Sequence, residues 1–147
     1  MAKPTKLLVV KRSKTGLGLF TASIIPKETR IIQYTGERIL SNDAGRHRGK
    51  YLFTLNEKYT IDGRSRNNIA RYINHSCRPN AYTDVTRGKI WIIAKRRIRE
   101  FEEITYNYGK EYFNQFIKPK GCKCAKCHPS SANFVGVKSK LLNKKNE

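Results

Sequence analysis

The segment Asn74-His75-Ser76-Cys77-Arg78-Pro79-Asn80 is the most informative stretch of this chain, together with Glu103-Ile104-Thr105-Tyr106-Asn107-Tyr108-Gly109, which follows it. A simple polar turn would account for the residue types one at a time, because Asn and Ser bond their own backbone and Pro-Asn favours a chain reversal. That interpretation does not explain why a second motif with two tyrosines follows the first. The pair of segments therefore indicates one particular fold and a functional site.

Together, the two segments resemble the signature motifs of the SET domain, the fold of one class of protein lysine methyltransferases. The resemblance covers about residues 5 to 127 and implies a mostly β fold of small curved sheets, a few short helices and a knot-like crossing, or pseudoknot. Such threading is rare and does not follow from periodicity. On this basis we expect a SET domain at residues 1–117, a zinc-binding post-SET segment at 118–130 and a flexible basic tail at 131–147.

The chain of 147 residues has the size of one ordinary domain. Its 31 Lys and Arg residues against 11 Asp and Glu residues give a formal net charge of +20. Because the charges are spread along the chain, we expect weak, non-specific and salt-sensitive contact with nucleic acid rather than sequence readout.

The sequence contains no apolar run long enough to cross a bilayer, and its first six residues lack the apolar core of a secretory signal. We therefore expect no membrane association and an intracellular location. This location would be the nucleus in a eukaryote, and the cytoplasm or the host nucleus for a bacterial or viral protein.

Short apolar segments separated by turns predict a β-rich architecture with little helix. Strands are predicted at residues 7–10, 18–22, 30–34, 51–55, 59–62, 82–86 and 89–94, and the last two should form a hairpin. Helix is predicted around residues 67–73 and 110–117, the second with one apolar face and an end at Pro119. Residues 41–50 are predicted to be a mobile connection or a poorly formed helix. Core packing is predicted for Phe20, Trp91 and Phe101.

The four cysteines indicate a metal site rather than a disulfide. Cys122, Cys124 and Cys127 are too close in sequence for an unstrained disulfide between neighbours, and three thiolates need one more ligand for tetrahedral zinc. Cys77 can supply the fourth, which resembles the zinc site of SET proteins with a cysteine-rich post-SET tail. The family commonly has four residues before the last cysteine and this chain has two, so either Cys127 or His128 can be the last ligand.

A methyl-donor site follows from the resemblance. Gly16-Leu17-Gly18 is similar to the Gly-x-Gly segment whose backbone approaches S-adenosylmethionine in SET domains, although two such glycines alone are more often just a turn. The resemblance also assigns Arg71, Tyr72, Asn74 and His75 to the donor pocket. In the family the His75 position contributes its main chain, so its ring is expected to be a packed, hydrogen-bonded wall.

The resemblance assigns the chemistry to tyrosines. Tyr108 matches the catalytic tyrosine and would also contact the donor, where its hydroxyl can align the reactants. Tyr106 stands where SET enzymes have Phe or Tyr and is expected to limit the product to mono- or dimethyl-lysine. Tyr51 resembles a third channel position, although the Tyr-Leu-Phe stretch is equally typical of a buried strand.

The leading hypothesis is a protein lysine N-methyltransferase that uses S-adenosylmethionine, holds Zn²⁺ and acts on a lysine-bearing protein or peptide such as a histone tail. The alternative is an inactive SET-like, zinc-stabilised basic module that binds nucleic acid or chromatin. Retention of the tyrosines and of Asn74 and His75 favours the enzyme.

Overall fold

The computed structural model describes residues 7–44, 50–124 and 126–127, and within them the fold is mostly β. The strands are β1 (Leu8–Ser13), β2 (Gly16–Thr21), β3 (Arg30–Tyr34), β4 (Glu37–Leu40), β5 (Leu52–Thr54), β6 (Tyr59–Asp62), β7 (Asn74–His75), β8 (Ala81–Thr86), β9 (Lys89–Ala94) and β10 (Glu103–Tyr106). The seven strands that we predicted are all present within a few residues. The mostly β fold class is confirmed, whereas β4, β7 and β10 were not predicted.

Within the described residues, helical structure is limited to short turns. A 3-10 turn covers Ser41–Asp43, and another covers Ile69–Tyr72 within the first predicted helix. Helix α1 (Lys110–Tyr112) continues as a π-helical turn at Phe113–Ile117 and a 3-10 turn at Lys118–Lys120. The helical path therefore does not end before Pro119, because this proline occupies an early turn position that needs no N–H donor. None of the described helices is long and apolar enough to traverse a bilayer.

The described residues contain three small sheets. The first has the strand order β1-β2-β10-β7, the second β3-β9-β8 and the third β4-β6-β5. The predicted hairpin is confirmed by the antiparallel pairing of β8 with β9 around Arg87 and Gly88, both of which have positive φ angles. The expected tail at 131–147 and half of the connection at 41–50, residues 45–49, lie outside the described residues.

The first sheet brings the two sequence motifs together. β10 pairs antiparallel with β2 on one side and parallel with β7 on the other, with Thr105 opposite Asn74 and Tyr106 opposite His75. The two strands belong to motifs about 30 residues apart along the chain. Parallel pairing at that separation requires a long connection, which β8 and β9 provide.

A single core joins the sheets, because each sheet contributes aliphatic side chains to it. The largest fully buried apolar side chains are Leu19, Ile25, Ile73, Ile90, Ile92, Ile98 and Ile104. The turn between β3 and β4 also approaches β6 closely, since a Cβ on Gly36 would lie 2.1 Å from the Asp62 carbonyl oxygen. Only glycine therefore fits at that point of contact.

Phe101 does not pack in the core as predicted. Its side chain is 65% exposed, and its backbone adopts a φ of 68° in the turn before β10. The Phe101 N–H donates to the Thr21 carbonyl, which fixes this turn against β2. The turn geometry therefore directs the ring towards solvent.

Buried Asn80, the last residue of the first motif, holds β10 in place. Its side-chain amide donates to the Glu103 carbonyl at 2.8 Å, and its Oδ1 accepts from the Thr105 N–H at 2.9 Å. Only 3% of Asn80 is exposed, so water cannot replace these bonds. The Asn80 side chain of the first motif thus binds the backbone of the second motif.

We expect Asn80→Ala to reduce the free energy of unfolding by about 3 kcal/mol, because it removes a buried side chain that bonds two half-buried backbone groups of β10. Denaturant unfolding measures this change. Asn56→Ala is the matched control: Asn56 Oδ1 also accepts two backbone N–H bonds, but on an exposed turn where water replaces them. If Asn80→Ala lost no more stability than Asn56→Ala, the role of Asn80 in holding β10 would be contradicted.

Candidate functional site

A large cleft brings together segments that are distant in sequence. It has a volume of about 1770 Å³ and is bordered by the start of β2, by β5, by residues 71–75 and by the chain from Tyr106 to Cys124. Pockets for a single small ligand usually measure about 300–1000 Å³, so this cleft has room for two reactants. The predicted site residues that line it are Leu17, Tyr51, Arg71, Tyr72, Asn74, His75, Tyr106, Tyr108, Cys122 and Cys124.

The two glycines of the Gly16-Leu17-Gly18 segment flank the cleft without lining it. Gly18 is needed for a contact within the protein, since a Cβ there would lie 2.4 Å from Glu103 Oε2 and 3.1 Å from Asn74 Nδ2. Burial raises the pKa of the Glu103 carboxyl group, although its hydrogen bond with Asn74 acts in the opposite direction. Glu103 was not predicted as a site residue.

Three acceptors fix the orientation of the Asn74 side chain. Its Nδ2 lies 2.7 Å from Glu103 Oε2, 3.0 Å from the Leu17 carbonyl oxygen and 3.2 Å from Ser13 Oγ. Within the described part of the chain, nothing donates to the Asn74 Oδ1. The amide therefore keeps an acceptor available beside the cleft.

Tyr108 is held at two points by the first motif. Its hydroxyl donates to the Ile73 carbonyl, and its backbone N–H donates to Nδ1 of His75 at 3.1 Å. Burial raises the pKa of the Tyr108 hydroxyl, and the neighbouring tyrosines Tyr106 and Tyr112 raise it further. The phenol consequently stays protonated at neutral pH.

The His75 ring links Tyr108 to the cysteines. Because Nδ1 accepts the Tyr108 N–H, the neutral ring carries its proton on Nε2, which lies 3.3 Å from the Cys77 Sγ. The ring also packs against Tyr108 and Phe113, with centroids 5.4 and 5.3 Å away. Burial lowers the pKa of His75. These contacts agree with a packed wall rather than a general base.

Aromatic rings form the inner wall of the cleft. The Tyr106 ring is 7% exposed and lies 5.0 Å from the Tyr108 ring and 6.5 Å from the Phe53 ring. None of the described residues forms a hydrogen bond with the Tyr106 hydroxyl, whose pKa is raised by burial. The predicted third position, Tyr51, has its ring 4.4 Å from the Arg71 guanidinium.

Two further tyrosines of the cleft were not predicted as site residues. The Tyr112 ring meets Tyr108 edge-on at 4.9 Å, and its hydroxyl donates to the Lys50 carbonyl at 3.1 Å. The hydroxyl of buried Tyr34 donates to the Tyr51 carbonyl at 2.6 Å. Both had an apolar sequence pattern, in α1 and in β3, that does not distinguish a core from a cleft wall.

The four cysteine sulfur atoms form a compact cluster in which all lie within 4.8 Å of one another. The Sγ atoms of Cys122 and Cys127 are each 3.9 Å from the Cys77 Sγ. A tetrahedron with metal–sulfur bonds of about 2.3 Å has edges of about 3.8 Å, so the cluster can hold a metal ion. His128, the alternative ligand, lies outside the described residues.

Backbone donors favour a thiolate at Cys124. Burial acts to raise the pKa of this thiol, but hydrogen bonds from backbone N–H groups, including that of Cys77 at 3.4 Å, bring it to about 6. Burial raises the pKa of Cys77 to about 12, and hydrogen bonds with the other cysteines add to the effect. Binding of a cation at the cluster would favour the thiolate form of all four residues.

Residues 16–109 match the family model of the SET domain. This chain belongs to the SET-domain family. Its matched region contains the predicted donor-site and tyrosine residues and ends before Cys122, Cys124 and Cys127, so the cysteine cluster is inferred from geometry.

Curated SET-domain relatives carry the name histone-lysine N-methyltransferase. The protein trr of Drosophila melanogaster is 38% identical over 130 residues, which are 79% of this chain and 5% of that protein. The protein 2D of Homo sapiens is 41% identical over 109 residues, or 66% of this chain and 2% of that protein. MEDEA of Arabidopsis thaliana is 37% identical over 121 residues, and the match covers 73% of this chain and 17% of that protein. The chain thus spans a small part of each relative.

We expect the SET domain to bind one divalent metal ion per chain, and Co²⁺ to give the absorption of a tetrahedral thiolate site. Cys77→Ser should lower metal affinity by about 100-fold or more, since it removes a ligand. The control is Lys123→Ala, an exposed residue between two cysteines. Unchanged metal affinity in Cys77→Ser would contradict metal binding by the four cysteines. Unchanged metal affinity in Cys127→Ser would assign the last ligand to His128.

Proposed function

We propose that this chain is a protein lysine N-methyltransferase that uses S-adenosylmethionine as its methyl donor. The observation that carries the proposal is the position of Tyr108: a protonated phenol in the wall of an aromatic cleft, held by Ile73 and His75 next to the available Asn74 acceptor. Membership of the SET family and the names of the relatives support the same reaction.

The donor half of the cleft fits the methionyl end of S-adenosylmethionine. Asn74 Oδ1 can accept from its ammonium group, because the Asn74 nitrogen is committed to the protein. Arg71 Nε is buried without a hydrogen-bond partner among the described residues. Such a donor costs about 1–3 kcal/mol while unsatisfied, and an oxygen of a bound ligand would relieve that cost.

The acceptor half suits the uncharged form of a lysine side chain. At a pKa of about 10.4 only about one lysine in a few thousand is neutral at pH 7, a cost of about 4–5 kcal/mol. Burial between the rings of Tyr106, Tyr108 and Tyr112 disfavours the ammonium form. No general base is needed in the cleft if the proton leaves to solvent before the amine enters.

The transfer itself requires alignment rather than covalent catalysis. Bound S-adenosylmethionine supplies an electrophilic methyl group on a sulfonium. The Tyr108 hydroxyl donates its proton to Ile73, so its oxygen lone pairs are free to face the polarised methyl group. The unpartnered Tyr106 hydroxyl can hydrogen-bond the incoming nitrogen and hold it in line.

We infer that the metal of the cysteine cluster is zinc, because four thiolates in a tetrahedral arrangement are a typical structural zinc site. The ion would attach the chain after Lys120 to Cys77 and so complete the wall that includes Cys122 and Cys124. Metal removal is then expected to reduce activity before the rest of the fold is lost.

The acceptor is a lysine of a protein or peptide, and the names of the relatives make histones the first proteins to test. An acceptor on chromatin would require nuclear location, in the cell that makes the protein or in its host. The formal charge of +20 supports weak, salt-sensitive contact with nucleic acid as a secondary property.

Tyr108→Phe should lower turnover by about 100-fold or more with little change in donor affinity, because it removes an alignment made in the transition state. Labelled-methyl transfer and calorimetry of donor binding measure the two effects. Tyr82→Phe is the control, since this exposed tyrosine lies outside the cleft and its hydroxyl donates to Glu28 at 2.7 Å. If no transfer or donor uptake were detected while duplex DNA bound in a salt-sensitive way, the non-catalytic alternative would replace this proposal.

Tyr106→Phe should raise the methylation state of the product from mono- or dimethyl-lysine towards trimethyl-lysine. Loss of the phenol frees space for an already methylated nitrogen and removes the hydrogen bond that holds it. Mass spectrometry of the product over time checks this, again with Tyr82→Phe as control. An unchanged product distribution would refute the assignment of Tyr106.

A further inference from the structure

The charges around the cleft are almost all of one sign. Of its described lining residues, Glu111 is the only acidic one, whereas six carry a positive charge: Lys50, Arg66, Arg71, Lys110, Lys120 and Lys123. All of these except Arg71 are exposed.

No described carboxylate neutralises these cations. The ion pairs of the described chain join Arg64 to Asp62 and Arg96 to Glu102, and neither pair includes a cation of the cleft. Arg71 instead stacks on Tyr51 and Tyr72 and donates to the Arg64 carbonyl. The cleft therefore has a net positive field, which low-dielectric aromatic walls focus towards the channel.

A cationic rim has opposite effects on acceptors of different charge. It attracts a peptide whose lysine is flanked by Asp or Glu, and it repels a segment rich in Lys and Arg. It also disfavours the ammonium form of the acceptor lysine, since a nearby like charge favours the neutral amine that attacks. The rim thus selects for acidic flanks through recognition, whereas its effect on the amine applies to any acceptor lysine.

We propose that the preferred acceptor is a lysine flanked by acidic residues rather than one within a polybasic segment. This inference rests on the proposed methyl transfer and narrows its substrate class. Among histone segments it disfavours Lys- and Arg-rich tails. A polyanion such as DNA could meet the same cations, but the aromatic channel between Tyr106 and Tyr112 fits an alkyl amine and not a phosphate backbone.

The test compares three peptides that share a central lysine and differ only in their flanks, which are acidic, neutral or basic. We expect the kcat/KM of the acidic peptide to exceed that of the basic one by about 10-fold or more at low ionic strength. The ratio should shrink towards about 3-fold or less near 1 M salt, where the Debye length is about 3 Å.

A double charge reversal tests whether the cations of the cleft cause the preference for the acidic peptide. Lys50→Glu with Lys120→Glu should reduce or invert the preference for the acidic peptide. Lys27→Glu with Lys95→Glu is the matched control, because it changes the net charge equally at exposed positions outside the cleft. It should leave most of the preference intact.

Several outcomes would overturn the inference while leaving the methyltransferase proposal in place. They are equal or better transfer to the basic peptide, a salt-independent ratio, and equal effects of the two double variants. Loss of DNA binding in the cleft variant with an unchanged peptide preference would reassign the rim to nucleic acid. Failure of all three peptides and of mixed histones to accept methyl groups would instead reject the proposed function itself.

Discussion

The parallel pairing of β7 with β10 is the constraint on which the rest of the structure depends. It sets Asn74 and His75 beside Thr105 and Tyr106, and Asn80 secures the contact by bonding the β10 backbone on both its donor and its acceptor side. Because β10 also pairs with β2, the Gly16-Leu17-Gly18 segment at the start of β2 is fixed by the same strand. Side chains from three distant parts of the chain therefore share one rigid framework.

Some residues both stabilise the fold and line the cleft. Asn74 binds the Leu17 carbonyl and Glu103, which joins β2 to β10 and leaves its oxygen available for a ligand. His75 accepts from the Tyr108 backbone with one ring nitrogen and approaches the Cys77 sulfur with the other. Tyr108 and the cysteine cluster are thus connected through one imidazole.

The sequence predicted the strands with clear apolar runs, and most of the residues singled out by the family resemblance line the cleft, although Gly16 and Gly18 do not. The apolar pattern of the sequence did not reveal β7, which is two residues long, or β10, in which Glu and Thr interrupt the pattern. Phe101 was wrongly assigned to the core because hydrophobicity does not encode a turn with positive φ. The sequence did not show that Tyr112 and the cationic residues face the cleft, since periodicity cannot tell which buried or exposed faces meet across a cleft.

The close approach of Gly36 to the Asp62 carbonyl makes this position unusually restrictive. Any side chain there would have to displace backbone, not a flexible group, and would shift β4 away from β6. Random mutagenesis followed by selection for folded protein should therefore recover glycine alone at this codon. The neighbouring Thr35 is exposed and its N–H donates to Asn68 Oδ1 at 3.1 Å, so a change of its side chain leaves that backbone hydrogen bond in place.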